Sequence, residues 1–359
     1  MTFNFTAGQE IYKFKLLTKL GNGSFGEVWL SEDMSINKQV ALKILPSDFS
    51  HIPYVLEEAK NGNKVSHRNL LEIFYADIYN VESNLHLVLI AQAYQEKGSV
   101  IGLLNARNFL PLPLLLKILK DIAAGLEYLH NGNIIHNDIK PGNILIDKND
   151  NAVLSDYGIS SVLESTSSSI SPKNIYMLHG APEVISGKTG ISVSTDIFQL
   201  GCTAYRLANG IDELSFSAIA TKEELIKNKN DRKMPPSTHQ PYVPKKLQKI
   251  INKCTEVDVS KRYSSVLEFR RDLEKICFPG YWTVDETDTS KLIGIGKDYV
   301  YEYILIPKPG NMFDVESRRK SKITNKLYRI TAYCKKNIKL KEKDKLIKDY
   351  FEWVINNAK

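Results

Sequence analysis

The chain is predicted to be of the α+β class: a bilobal fold, with a small antiparallel β lobe carrying one helix and a large α-helical lobe, followed by a small α+β C-terminal module. Three observations predict this. Apolar runs of period two crowd the first part of the chain, as in Gln39-Val40-Ala41-Leu42-Lys43-Ile44-Leu45. From Pro113 the period lengthens, with Leu115, Ile118, Leu119, Ile122, Leu126 and Leu129 recurring every three to four residues. Charge is segregated as well. Residues 307–359 hold 15 basic and 6 acidic residues, net +9, while the preceding 306 hold 33 and 35. The expected divisions are residues 1–92, 93–278 and 279–359.

The bulk composition, 43% hydrophobic and 25% charged, is that of an ordinary globular protein. No apolar run approaches the roughly 18 residues a membrane helix needs, so no membrane association is expected. Four scattered cysteines with no C-x-x-C pair argue against a zinc site and for a reducing compartment. Together with the lack of a secretory leader pattern at Met1-Thr2-Phe3, they predict a cytoplasmic protein.

Taken in order, Tyr12–Leu20 reads as a strand running into Gly21-Asn22-Gly23-Ser24-Phe25-Gly26-Glu27-Val28. Three glycines in this spacing also mark dinucleotide sites, but there a helix follows. Here the apolar run Val28-Trp29-Leu30 follows, so a β-hairpin is expected, its glycines letting backbone approach phosphates. The next strand carries Lys43 among apolar neighbours. A strand lysine is ordinarily a solvated edge residue, and the alternative is a phosphate contact held by an acid. Tyr54–Val65 reads as a helix containing Glu57 and Glu58, and Glu58 is the expected partner. Leu71–Tyr79 and Leu85–Gln92 complete a five-stranded sheet, with Ala93-Tyr94-Gln95 as the connector. After the long helix, capped at Asn131-Gly132, comes His136-Asn137-Asp138-Ile139-Lys140-Pro141-Gly142-Asn143, then a strand pair turning at Asn149-Asp150 and ending in Asp156-Tyr157-Gly158. An acid, a cation two residues on and an amide three beyond suit phosphoryl transfer, a chemistry of positioning and charge stabilisation.

The ordered set of glycine hairpin, strand lysine, helix glutamate, H-x-D-x-K-x-x-N, D-Y-G and Ala181-Pro182-Glu183 resembles the eukaryotic-type serine/threonine protein kinase family, over roughly residues 11–278. The resemblance implies a protein-kinase-like fold that uses ATP and Mg2+. It assigns Lys43 to the α- and β-phosphates with Glu58 as its partner. Asp138 becomes the base for a substrate hydroxyl and Lys140 the cation on the transferring group. Asn143 and Asp156 become the metal ligands. Gly21, Gly23 and Gly26 would cover the phosphates, while Leu20, Val28, Ala41 and Leu145 sandwich the adenine and the connector at Tyr94 meets its edge. Glu183 is expected to pair with Arg262, and Asp196 to accept N–H groups of the catalytic loop. A nucleotide-binding pseudokinase scaffold is the alternative from another class.

Three departures stand out. Asn137 replaces the arginine that normally meets a phosphate on the activation segment. Tyr157 replaces phenylalanine, adding a hydroxyl that needs a partner. Ile175-Tyr176-Met177-Leu178-His179-Gly180 stands where the family has Gly-Thr-x-x-Tyr-x, which bears on how a protein substrate docks. Lys140 favours serine or threonine as acceptor. The serines and threonine between Gly158 and Pro172 form either a solvated loop or an autophosphorylation site. Beyond Gly280 the resemblance stops. Tyr299–Ile306 and Leu327–Cys334 read as strands, Pro307–Gly310 as a turn and Leu340–Ile355 as an amphipathic helix. Its basic residues and tyrosines suit a solvated surface, or nucleic acid or another polyanion.

Overall fold

The structure, a computed structural model, describes residues 4–23, 26–47, 65–82, 85–104, 109–157, 177–210, 221–288 and 291–359. The chain is α+β, as expected, and divides into two compact units. One comprises Met1–Val100, Asp121–Ile175 and Gly190–Asp196, the other Ile101–Lys120, Tyr176–Thr189 and Ile197–Lys359.

The first unit is built on an antiparallel sheet in the order β1-β2-β3-β4-β6-β5. Its strands are β1 (Glu10–Ile11), β2 (Phe14–Gly23), β3 (Gly26–Asp33), β4 (Lys38–Ser47), β5 (Ile73–Glu82) and β6 (Leu85–Gln92). The two-residue β1 is the addition to the five strands expected. Side chains alternate across a strand, so Val40, Leu42 and Ile44 of β4 point one way and Ala41 and Lys43 the other. The first set closes a core with Phe14, Leu16, Trp29, Leu87, Leu89 and Ala91. Cross-strand pairing of Val28 with Lys43, and of Ala41 with both Leu30 and Gln92, leaves the opposite face for other work. A small hairpin follows, β7 (Ile144–Ile146) on β8 (Ala152–Leu154), and turns at Asp150, whose φ is +63°. The long helix α1 (Leu112–Asn131) joins this unit from Asp121, whose carboxylate accepts the Ala152 N–H at 3.0 Å.

In the second unit, α2 (Val193–Asn209) contributes from Ile197, joined by α3 (Lys222–Asn230), α4 (Lys245–Cys254) and α5 (Val266–Glu274). Helix α3 opens on Thr221, whose hydroxyl accepts the Glu224 N–H, and α5 opens on Ser265 in the same way. The C-terminal residues form an antiparallel meander: β9 (Tyr281–Val284), β10 (Leu292–Ile295), β11 (Tyr299–Lys308), β12 (Met312–Ser321) and β13 (Leu327–Arg329). A further strand, β14 (Lys335–Lys339), pairs with β12 beyond β13, and helix α6 (Leu340–Asn357) lies on the sheet.

Two sequence expectations change here. Leu327–Cys334 is not one strand, because β13 ends at Arg329 and a 3-10 turn at Thr331–Tyr333 precedes β14. The Cys334 thiol sits 3.3 Å from the Ser317 N–H at this break. Nor does the chain turn at Pro307, which pairs with Phe313 while the reversal falls at Gly310 and Asn311, both at positive φ.

An aromatic cluster holds α6 to the meander. Trp282 lies 1% exposed, stacks on Phe351 at 3.9 Å and meets Tyr350 and Tyr303 edge-on. Its indole N–H reaches the Phe351 carbonyl at 3.2 Å. The same cluster takes in Phe109, which stacks on Tyr242 at 3.7 Å, so the meander shares its core with residues that precede it. Gly280 is required by this packing, since a Cβ there would fall 2.6 Å from that of Ala358. No helix among the described residues is long and apolar enough to cross a membrane. Trp282→Ala should cost about 3–5 kcal/mol, the usual range for emptying a buried aromatic site, read from the denaturant midpoint of the full chain.

Candidate active site

The loop from His136 to Asn143 is fixed by a carboxylate shielded from water. Asp196 is 0% exposed. Its Oδ2 accepts the His136 N–H, its Oδ1 the Asn137 N–H, both at 2.8 Å, and the His130 ring lies 2.8 Å from Oδ2. Asn137 turns through φ +63°, which presents two successive N–H groups to one acid. His136 is buried and neutral. Burial drives its pKa down against the pull of Asp196, Asp138 and Asp156. Its Nδ1 accepts the Asp138 N–H at 3.2 Å, so Nε2 carries the proton and donates to the Ser155 carbonyl at 3.0 Å.

Asp138 is thereby presented in one orientation. Its Oδ2 takes hydrogen bonds from Lys140 and from the Asn143 amide, each at 2.8 Å. Its Oδ1 is buried and accepts no hydrogen bond among the described residues, an arrangement native structures seldom leave unexplained. The Asn143 carbonyl accepts both the N–H (2.9 Å) and the hydroxyl (3.2 Å) of Ser155, which ties the loop to Asp156.

Asp156 receives Lys43 at 2.8 Å, and Lys43 is 4% exposed. Burial alone would raise the Asp156 pKa. The Lys43 cation and hydrogen bond, with His136 and Lys140 nearby, keep it below the ordinary carboxylate value. Asp156 itself sits at φ +58°. The extra hydroxyl of Tyr157 finds its partner in the Leu71 carbonyl, 2.5 Å away.

The remaining expected site residues are placed as follows. Val28, Ala41 and Lys43 share the sheet face opposite the core, and Gly21 pairs with Val28. Gly23 pairs with Gly26 at the hairpin end, and Gly26 has a packing reason of its own. A Cβ there would fall 2.0 Å from the Ile44 carbonyl. Leu145 bridges to Ser99 just past the connector, on which Tyr94 is half-buried. Leu20 is 43% exposed at a bulge of β2. Glu58 and the serine-rich stretch lie outside the described residues.

In the second unit, three cations hold the segment Met177–Glu183. Arg262 grips Glu183 through two bonds of 2.7 and 2.8 Å. Lys229 of α3 donates to the Leu178 carbonyl at 2.7 Å. Arg206 of α2 donates to Nε2 of His179 at 3.0 Å, which leaves Nδ1 to donate to Thr203 at 3.3 Å. Burial lowers the Lys229 pKa to about 8, with Cys202 and Glu183 opposing the shift and Arg262 adding to it. Sequence reasoning found the Glu183–Arg262 pair but missed Lys229, Arg206 and His130. Lys229 carries no signal, since it sits in the polar run Lys222–Asn230 like any solvated lysine.

A sheet with a glycine hairpin and a buried strand lysine, joined to an acid–lysine–amide loop, defines a chain of protein-kinase-like fold. The family described as the protein kinase domain matches residues 14–272, and the chain belongs to it. Over 270 residues it is 28% identical to the serine/threonine-protein kinase PrkC of Bacillus subtilis, covering 73% of this chain and 40% of that protein. It is 25% identical to the serine/threonine-protein kinase PknB of Mycolicibacterium smegmatis, covering 74% and 43%. With a probable serine/threonine-protein kinase of Dictyostelium discoideum the identity is 31%, covering 74% and 16%. The chain thus spans less than half the length of these relatives.

Asp196→Ala should expose the anchor's role. Each orphaned donor costs about 1–3 kcal/mol, so the loss of stability should exceed that of a surface substitution. Amide exchange at His136 and Asn137 should accelerate most.

Proposed function

We propose that the chain is an ATP-dependent protein kinase that transfers the γ-phosphoryl group to serine or threonine hydroxyls of a protein. The observation that carries this is Asp138: one oxygen is held by Lys140 and Asn143, and the other is buried without a partner among the described residues. That free oxygen suits an incoming hydroxyl. Asp138 would orient it and accept its proton, while Lys140 neutralises charge on the group in flight. Lys43 would serve the α- and β-phosphates, with Glu58 as its further partner. Gly21, Gly23 and Gly26 would cover the phosphates, and Val28, Ala41, Leu145 and Leu20 would line the adenine, its edge on the connector at Tyr94.

The donor set fits magnesium, which takes hard oxygen ligands, here the Asp156 carboxylate and the Asn143 amide oxygen. Bound there, the ion would neutralise charge on the phosphate oxygens. The low pKa of Asp156 keeps that ligand ionised throughout the neutral range. The four cysteines are free thiols, which supports a cytoplasmic setting.

Asn137 cannot supply the cation that an activation-segment phosphate would seek. We read Met177–Glu183, fixed by Arg206, Lys229 and Arg262, as the peptide-docking strip, held without phosphate. Autophosphorylation within Ser160–Ser171 would then be a consequence of activity and no precondition of it.

Transfer of labelled γ-phosphate to the chain itself or to a generic protein tests this. Asp138→Asn should lower the rate by roughly 10²–10⁴, the range for losing a general base, and leave Mg·ATP binding intact. Equal labelling by both proteins would defeat the assignment. Phosphatase-treated chain should keep its rate from the first turnovers, whereas a lag would show that phosphate is needed. Lys229→Met should raise KM for the protein substrate several-fold, on the order of the 1–3 kcal/mol lost with a buried donor, without moving KM for ATP.

A further inference from the structure

The excess positive charge of the C-terminal residues is concentrated on one hairpin. From Ser317 to Arg329, along β12 and β13, the sequence carries Arg318, Arg319, Lys320, Lys322, Lys326 and Arg329 and no acidic residue. Among the described residues only Arg318 has a carboxylate partner, Glu302 at 3.2 Å. Two further acids border the hairpin: Glu316, which precedes Ser317 on β12 and whose charge acts on Arg329, and Asp298, on the turn between β10 and β11. The Asp298 backbone carbonyl accepts the Lys322 N–H.

The register sorts these residues by face. Arg319 pairs with Tyr301 on β11 and with Tyr328 on β13, and Tyr299 lies two residues from Tyr301, so all share one face. Tyr301 is covered, meeting Trp353 of α6 edge-on at 6.0 Å. Past the helix the face runs from Tyr299, half-buried against the same core, out to the exposed Tyr328. There Tyr299, Arg319 and Tyr328 stand on three adjacent strands. The Arg319 guanidinium lies 4.4 Å from the Tyr299 ring and 5.8 Å from that of Tyr328. The two rings are 6.2 Å apart, and Tyr328 is 41% exposed. Arg318, Lys320 and Arg329 occupy the other face of the same strands.

The tip is closed by its own bonds. Ser321 exchanges backbone bonds with Lys326 and Asn325, Thr324 N–H reaches the Ser321 hydroxyl, and the Lys322 amine is tied to the Gly296 carbonyl at 2.6 Å. A surface fixed before contact gives up little ordering entropy on binding.

We propose that this hairpin, with Tyr299, binds single-stranded nucleic acid. The cations would meet phosphates, and the planar side chains on neighbouring strands would stack bases, which every sequence offers. An acidic peptide would use the charge but not the rings. An anionic bilayer would use the charge and Ile323, 85% exposed at the tip, but has no use for a tyrosine–arginine–tyrosine platform. The proposal stands apart from the kinase reading.

Anisotropy of fluorescein-labelled, mixed-sequence single-stranded RNA and DNA oligonucleotides, titrated with the full chain at a series of salt concentrations, tests it. Binding should weaken steeply with salt. Tyr328→Ala should weaken it by roughly five- to a hundredfold, as loss of one stacked base does, without altering the salt slope. Replacing Lys320 and Lys326 together by alanine should instead reduce that slope by about 1.4, at ~0.7 per phosphate contact. These side chains are exposed, and unchanged unfolding midpoints would confirm that the variants fold. The proposal is overturned by no anisotropy change at low salt, or by binding that both variants leave intact. It is equally overturned if the chain sediments with phosphatidylserine vesicles but ignores both oligonucleotides.

Discussion

Asp196 places a carboxyl group where water does not reach, and polar oxygens so placed are tolerated only if hydrogen bonds satisfy them. Its three donors, the N–H groups of His136 and Asn137 and the ring of His130, meet that need. In meeting it they dictate the path of the loop. With its backbone pinned, the His136 ring receives the Asp138 N–H and donates to Ser155, and Ser155 in turn bonds the Asn143 carbonyl. Asp138 and Asp156 are therefore set by one connected series of bonds, and the order of that series begins at the buried acid. Asparagine at position 137 accommodates the left-handed turn that lets both N–H groups face Asp196, because its short polar side chain enters that region at small cost.

The segment Met177–Glu183 obeys the same physics with the signs exchanged. Here three buried cations approach one stretch of backbone that carries a single carboxylate, Glu183. Arg262 is balanced by that carboxylate through two parallel bonds. Lys229 makes no such pair, and burial lowers its pKa to about 8 against the opposing pull of Cys202 and Glu183. A neutral amine still donates to the Leu178 carbonyl, so the hold does not require the charge. His179 completes the arrangement by accepting from Arg206 with one nitrogen and donating with the other, which a neutral imidazole can do and a protonated one cannot.

How much of this the sequence revealed follows from where the partners lie along the chain. Alternation in β4 was enough to separate Lys43 from Leu42 and Ile44, because a strand has only two faces. Spacing was enough to bring Asp138, Lys140 and Asn143 together, since all three lie on one short loop. The roles of Asp196 and of the Glu183–Arg262 pair came through the family resemblance, and the geometry agrees with both. Lys229 and Arg206 were invisible, because their partners lie 51 and 27 residues away and neither residue type is unusual for its helix. Strands β9, β10 and β14 were missed because each is only four or five residues long and too short to show a period. The ten-residue β12 was missed because its second half carries the basic run Arg318-Arg319-Lys320. Leu327–Cys334 misled for the opposite reason, as its alternation continues through a point where the backbone leaves one stretch of the β12 edge and takes up another.

The C-terminal residues show why a net charge must be resolved into elements before it argues for a partner. Helix α6 carries four lysines, Lys341, Lys343, Lys345 and Lys348, against four acids, Glu342, Asp344, Asp349 and Glu352, and so contributes nothing to the net +9 of residues 307–359. Its charges alternate in sign along a solvated face, the ordinary condition of a surface helix. The hairpin from Ser317 to Arg329 contributes +6 with no acid at all. Segregation of this kind raises the local potential and attracts counterions, a standing repulsion that a solvated surface has no need to maintain. Arg319 of the same hairpin also lies against the ring of Tyr328 and, on β11, that of Tyr299. Charge without rings would fit any polyanion. Rings without charge would fit an apolar partner. Their presence together on three neighbouring strands is the ground on which we propose a partner that offers phosphates and flat bases.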